Sequence, residues 1–93
     1  MASARFWFSS PFRQWIGQRT VTLDWEGTLT LRDVFARLAR QHPAFAAHVA
    51  PQRLTDADLE HLAAVILDGD FLSLDSPIPD GARVDVLTPL VGG

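Results

Sequence analysis

The sequence predicts an α+β fold in which one main helix packs on a single face of a mixed sheet of about five strands. Three observations carry this reading. Period-2 alternation appears at both ends of the chain, over residues 20–25 and 83–88. Between them, Leu31, Val34, Phe35, Leu38 and Ala39 follow the i, i+3, i+4, i+7, i+8 rule for one buried helix face. A further apolar run at 63–67 meets Asp68-Gly69, the turn chemistry of a tight hairpin.

In chain order, residues 5–9 (Arg-Phe-Trp-Phe-Ser) read as a short aromatic strand. Phe6 and Phe8 point one way and Trp7 the other, because side chains alternate across a strand. Residues 11–17 read as a turn or single helical turn closed by Gly17. The strand at 20–25 places Val21, Leu23 and Trp25 on one face, and its closeness to the first strand suggests an antiparallel hairpin. Thr30 is a good helix N-cap, with Asp33 in the capping-box position. Arg32, Arg37 and Arg40 fall toward the solvent side. Pro43 ends the helix, because it pushes His42 out of the α region.

Residues 44–50 suggest a helical turn or two, and 55–59 a cap leading into another short helix. Residues 71–74 form the returning strand of the second hairpin. Pro77, Pro79 and Asp80-Gly81 then punctuate a loop into the last strand. The order is β-β-α-(α)-β-β-β, with no repeats and no linker. Residues 1–93 are therefore expected to form one domain, with 89–93 as an extended flexible C-terminal tail. A right-handed crossover through the helix lets the first and last strands lie side by side, parallel, at the centre. That arrangement is a β-grasp.

Composition narrows the function classes. A net charge of −3 argues against a nucleic-acid binder, which carries a basic footprint. There are no cysteines, so disulfides, thiol nucleophiles and thiolate-bound metals are excluded. The N-terminus lacks the charged start and apolar run of a secretory signal. No apolar run is long enough to span a bilayer, and the expected location is the cytoplasm. All eight basic residues are arginine, which leaves the N-terminal amine as the sole aliphatic amine.

The chain closes on Pro89-Leu90-Val91-Gly92-Gly93. At roughly 7% glycine usage, a terminal Gly-Gly pair is rare by chance, yet a frayed or arbitrary end gives the same letters. Gly92 and Gly93 tolerate almost any backbone geometry. Pro89 lacks a ladder donor and ends strand pairing. A fully extended tail reaches about 13–14 Å beyond Pro89.

Three pieces of the chain resemble the MoaD/ThiS-type sulfur carriers, which are ubiquitin-like β-grasp proteins. They are Phe12-Arg13-Gln14-Trp15-Ile16-Gly17 after strand one, residues 74–84 (Leu-Asp-Ser-Pro-Ile-Pro-Asp-Gly-Ala-Arg-Val) before the last strand, and the Pro-x-x-Gly-Gly ending. The resemblance implies that Gly93 is the reactive group. An E1-like adenylyltransferase of the MoeB/ThiF type would adenylate its carboxylate with ATP. A sulfur donor protein would then convert it to a thiocarboxylate. Pro89, Leu90, Val91 and Gly92 would thread into the active site of an acceptor synthase large subunit, MoaE-like or other. The first expectation is a carrier, not an enzyme, serving molybdopterin (molybdenum cofactor) synthesis, with no bound cofactor or metal. Carriers for cysteine, thiamine or specialised-metabolite pathways share the signature. A β-grasp interaction module whose tail is never activated is the competing class. Val91 departs from the family pattern, where Ser, Ala or Thr is commoner, and Ser9 and Ser10 soften the first strand.

If Val84 and Val86 face the core, then Trp7, Phe71 and Leu87 fall on the uncovered sheet face. An exposed apolar patch with aromatics suits a partner interface; edge packing, or cover by residues 43–61, is the alternative for Trp7. His42, His48 and His61 are too irregularly spaced for a metal pair. Asp56-x-Asp58-x-Glu60 lacks the later glycine and glutamate of a calcium loop and reads as a helix N-terminus.

Overall fold

The computed structural model describes residues 1–89. The elements run β1 (Ala2–Phe8), α1 (Phe12–Ile16), β2 (Thr20–Trp25), α2 (Leu31–Gln41), α3 (Pro43–Ala46), α4 (Asp56–Leu62), β3 (Ala64–Leu67), β4 (Asp70–Phe71) and β5 (Arg83–Leu87). The five strands form one mixed sheet in the order β2-β1-β5-β3-β4. β1 pairs antiparallel with β2 and parallel with β5. The first and last strands therefore lie together inside the sheet, the β-grasp arrangement read from the sequence.

Local chemistry sets the elements. In α2, Thr30 Oγ1 accepts from the Asp33 amide at 3.2 Å and the Asp33 carboxylate accepts from the Thr30 amide at 3.0 Å, a complete capping box. Leu31, Val34, Phe35 and Leu38 are buried. The same reciprocal cap joins Thr55 and Asp58 at the start of α4. Gly17 closes α1 at φ +82°, in the left-handed region where glycine carries no Cβ penalty. The β3–β4 turn places Asp68 at φ +51° and Gly69 at φ +84°, as a two-residue hairpin turn with positive φ at both positions requires.

The core lies between the sheet and the helices. Phe6, Leu31, Val34, Leu38 and Val84 are wholly buried, and Phe35, Phe45, Val65 and Val86 nearly so. At about 25 cal/mol per Å² of apolar area removed from water, this cluster is the main force holding the fold. Trp25 and Leu23 of β2 also face it.

The structure corrects three sequence readings. The returning strand expected at 71–74 pairs with β3 through Asp70 and Phe71 and ends with the Leu72 amide donating to the Val65 carbonyl at 2.8 Å. Beyond them the Leu74 amide donates to the Asp56 carboxylate at 2.8 Å, the Ser73 amide donates to Ser76 Oγ, and Leu74 turns into the core at 1% exposure. A side-chain carboxylate thus takes a donor that a strand would use in a ladder. Arg32 is not part of a solvated helix face. Its guanidinium is part-buried and donates to the carbonyls of Pro51 and Leu54 at 2.6 and 2.8 Å, pinning the connection between α3 and α4. Arg37 likewise donates to the Asp24 carbonyl at 2.5 Å. Finally, β1 begins at Ala2 rather than Arg5, because the hairpin register continues through Ala4↔Leu23, Ser3↔Asp24 and Ala2↔Trp25.

Candidate functional site

The site predicted from the sequence begins where β5 hands the chain on to the tail. Parallel pairing sets Phe8 opposite Val86, so Ser9 and Ser10 arrive beside Leu87 and Thr88. The Ser9 amide donates to the Val86 carbonyl at 3.1 Å. The Thr88 amide then donates to Ser9 Oγ at 3.0 Å, and the Thr88 hydroxyl donates to the Ser10 carbonyl. Gln14 Nε2 donates to Ser10 Oγ at 3.0 Å, tying α1 into the same cluster. Pro89 follows, half-buried and without an N–H, and strand-type pairing ends there. Leu90, Val91, Gly92 and Gly93, the remaining tail residues singled out from the sequence, lie outside the described residues.

Sequence reasoning missed the hydroxyl clamp. Ser9 and Ser10 read only as a softening of the first strand, and Thr88 as its last alternating residue. The signal lies in hydroxyl residues just past two strand ends, and it becomes legible only once those strands are known to be parallel neighbours.

The open face of the sheet carries the second part of the candidate site. One cross-strand row runs Trp7, Asp85, Ile66, Phe71; Leu87 lies in the next row, opposite Ala64. Trp7, Phe71 and Leu87 therefore share this face, but they do not form one continuous patch. Trp7 is half-buried beneath the Arg83 guanidinium, whose carbon sits 4.4 Å from the ring centroid, within cation–π range. Arg83 also approaches Asp85 at 3.5 Å, an exposed pair worth little by itself. The Trp7 indole Nε1 is buried with no hydrogen-bond partner among the described residues. Asp85 and Ile66 separate this corner from Phe71, which is 75% exposed.

Phe71 and Leu87 instead share a groove of about 540 Å³. It opens beyond the short β4, alongside Ala64 and Ile66 of β3. Leu59 and Glu60 of α4 form one wall, Ile66 and Leu72 another, and Thr88 and Pro89 line it beside the exit of the tail. Phe71 and Leu87 thus lie at the end of the sheet where β5 leads into Pro89, and Trp7 lies apart from them.

The histidines have other roles. His48 stacks on Trp15 with ring centroids 4.1 Å apart and planes 8° from parallel, and Trp15 meets Phe12 and Phe45 edge-on. Among the described residues, no three His, Cys, Asp or Glu side chains converge as a metal site. No helix there is long and apolar enough to cross a membrane.

The sequence model of the ThiS family matches residues 8–93, from the last residue of β1 through the tail. The chain belongs to the ThiS family. A comparison with curated proteins returns no match. Among solved structures, this ThiS-family chain is similar to small archaeal modifier protein 1 of Haloferax volcanii, at 23% identity and a TM-score of 0.75 over 97% of this chain and all of that one. It is similar to a putative molybdopterin converting factor subunit 1 of Pyrococcus furiosus at 19% identity, TM-score 0.73, with 97% and 100% covered. It also resembles small archaeal modifier protein 1 of Methanosarcina acetivorans, at 20% identity, TM-score 0.70, with 100% and 98% covered. These likenesses establish the ubiquitin-like β-grasp fold of the ThiS/MoaD carriers and modifiers.

Proposed function

We propose that this ThiS-family chain is a sulfur carrier whose Gly93 carboxylate is activated and converted to a thiocarboxylate. The carboxylate oxygen attacks the α-phosphorus of ATP on an E1-like adenylating enzyme, and pyrophosphate leaves. A sulfide-equivalent sulfur from a donor protein then attacks the acyl carbon, and AMP leaves. A carboxylate is a poor electrophile, and the adenylate supplies the leaving group that it lacks. The chain contributes no catalytic group; its part is to deliver one carbonyl into other active sites.

The observation that carries this reading is the family match running through the Pro-x-x-Gly-Gly ending. It is supported by the clamp that holds the chain as far as Thr88. A fixed base followed by Leu90, Val91, Gly92 and Gly93 would restrict where a narrow tail can start without restricting where it ends. Phe71 and Leu87, beside the exit, would contact the activating enzyme or the synthase. Molybdopterin synthesis is the pathway we favour, and the likeness to the Pyrococcus protein named for that pathway supports it.

A second reading follows from the two neighbours named as modifiers: the same activated carboxyl is passed to an amine of another protein instead of receiving sulfur. One experiment tests activation itself. The chain is incubated with a cognate adenylating enzyme, ATP and a sulfur donor, and its intact mass is taken. Replacement of one oxygen by sulfur is expected. That shift should vanish when one alanine is added after Gly93, while the fold is retained. Activation without sulfur uptake, accompanied by amide-linked conjugates, would favour the modifier reading.

A further inference from the structure

We infer that this chain is an acyl donor built not to acylate itself: once Gly93 is activated, the chain offers no side-chain amine, and its own N-terminal amine is out of reach. The inference rests on the activated-Gly93 reading above. An activated acyl carbon is open to any neutral amine, and attack forms an amide bond with release of the leaving group and one proton. While it persists, the acyl-adenylate is also exposed to amines on other copies of the chain.

The 93 residues hold eight arginines, no lysine and no cysteine. Arginine is no substitute nucleophile, because its guanidinium is delocalised and stays protonated. With no thiol there is also no thioester route. Six of the eight arginines are exposed: Arg5, Arg13, Arg19, Arg40, Arg53 and Arg83. These are places where a lysine would serve equally well for solubility.

The α-amine of Met1 remains, and the sheet topology separates it from the tail. β1 and β5 run parallel, so the chain enters the sheet at one end and leaves it at the other. From Ala2 to Phe8 the strand rises about 20 Å at 3.3 Å per residue. Phe8 lies opposite Val86, three residues before Pro89. A tail of four residues reaches about 13–14 Å when fully extended, short of the distance back to its own N-terminus. Cyclisation onto Met1 is thereby blocked, and within these 93 residues the Met1 amine of a second copy is the one amine left as acceptor. Conjugates on other proteins would carry one copy per acceptor amine, with no branching through side chains.

The test uses the full chain carrying a C-terminal thioester on Gly93, made by intein cleavage, so that no activating enzyme is needed. At mildly alkaline pH the concentrated protein should yield the hydrolysed acid, and added Nα-acetyl-lysine amide should give the amide adduct by intact mass. Arg40→Lys and Arg53→Lys replace exposed side chains that make no hydrogen bond among the described residues, and each should produce hydroxylamine-resistant dimers that survive Nα-acetylation, which the natural sequence does not. Dimers of the natural chain that disappear on Nα-acetylation would support Met1 as the sole acceptor. A product lighter than the acid by one water, or resistant dimers of the natural chain that survive Nα-acetylation, would overturn the inference. So would Lys variants that fail to dimerise while free lysine is acylated. Because the thioester bypasses the enzyme, failure here is separable from failure of Gly93 to be activated.

Discussion

The amide of Thr88 donates to the hydroxyl of Ser9 at 3.0 Å, joining residues 79 positions apart at the point where β5 gives way to the tail. In an ordinary parallel ladder, that donor would meet a backbone carbonyl. Here a side chain takes the place of the carbonyl, while the backbone of Ser10 accepts from the Thr88 hydroxyl. Ser9→Ala should cost about 0.5–1.5 kcal/mol in denaturant unfolding and speed hydrogen exchange at the Thr88 amide. Unchanged exchange at Thr88 would show that the clamp is not held in solution.

The part-buried Arg32 bridges to Pro51 and Leu54, whereas Arg40 on the same helix is exposed. Charge-assisted hydrogen bonds contribute more than neutral ones. Arg32→Ala is expected to destabilise the fold by about 2–3 kcal/mol, and Arg40→Ala by less than about 0.5 kcal/mol. Equal effects in urea unfolding would refute the assignment.

Leu74 is 1% exposed although it lies outside any strand. Leu74→Ala should cost about 2–5 kcal/mol, as for other buried leucines. Asp56→Asn, which weakens the acceptor for the Leu74 amide, should loosen the same turn at smaller cost. Retained stability of Leu74→Ala would mean that this loop does not seal the core.

Phe71 lies 75% exposed on the open face, beside the groove that reaches Pro89. Phe71→Ala should leave stability within about 0.5 kcal/mol and weaken binding to a cognate adenylating enzyme or synthase by about tenfold or more. Titration calorimetry with each partner would also reveal which of them uses this face. Full affinity for both would remove Phe71 from the interface.

Much of this was legible in the sequence because local and global signals agree. The capping pair Thr30 and Asp33, the stripe from Leu31 to Leu38 and the Asp68-Gly69 turn each specify their own conformation. The parallel centre follows from chirality once the order of elements is read. What escaped is non-local. Leu74 looks like a strand residue until Asp56, far back in the chain, captures its amide. Arg32 looks solvent-facing by helical periodicity, because that period is blind to a loop folding back over the helix. Alternation sets Trp7, Phe71 and Leu87 on one face, but the charge of Asp85 and the Arg83 guanidinium over Trp7 divide that face in a way alternation alone does not reveal.

The pairing of β1 with β5 also has a consequence for folding order. Until residues 83–87 are made, β1 has only β2 as a partner, and the middle of the sheet is missing. Closing so long a loop makes this a contact of high sequence separation, the kind that forms slowly. The strand that completes the sheet is also the one that leads into Pro89 and the glycines. A chain that is complete but has not yet closed this pairing lacks the open face and the groove beside Pro89. Under the activation proposed for Gly93, fold completion would act as proofreading for the chemistry: partners that read the sheet would reject copies that have not closed it.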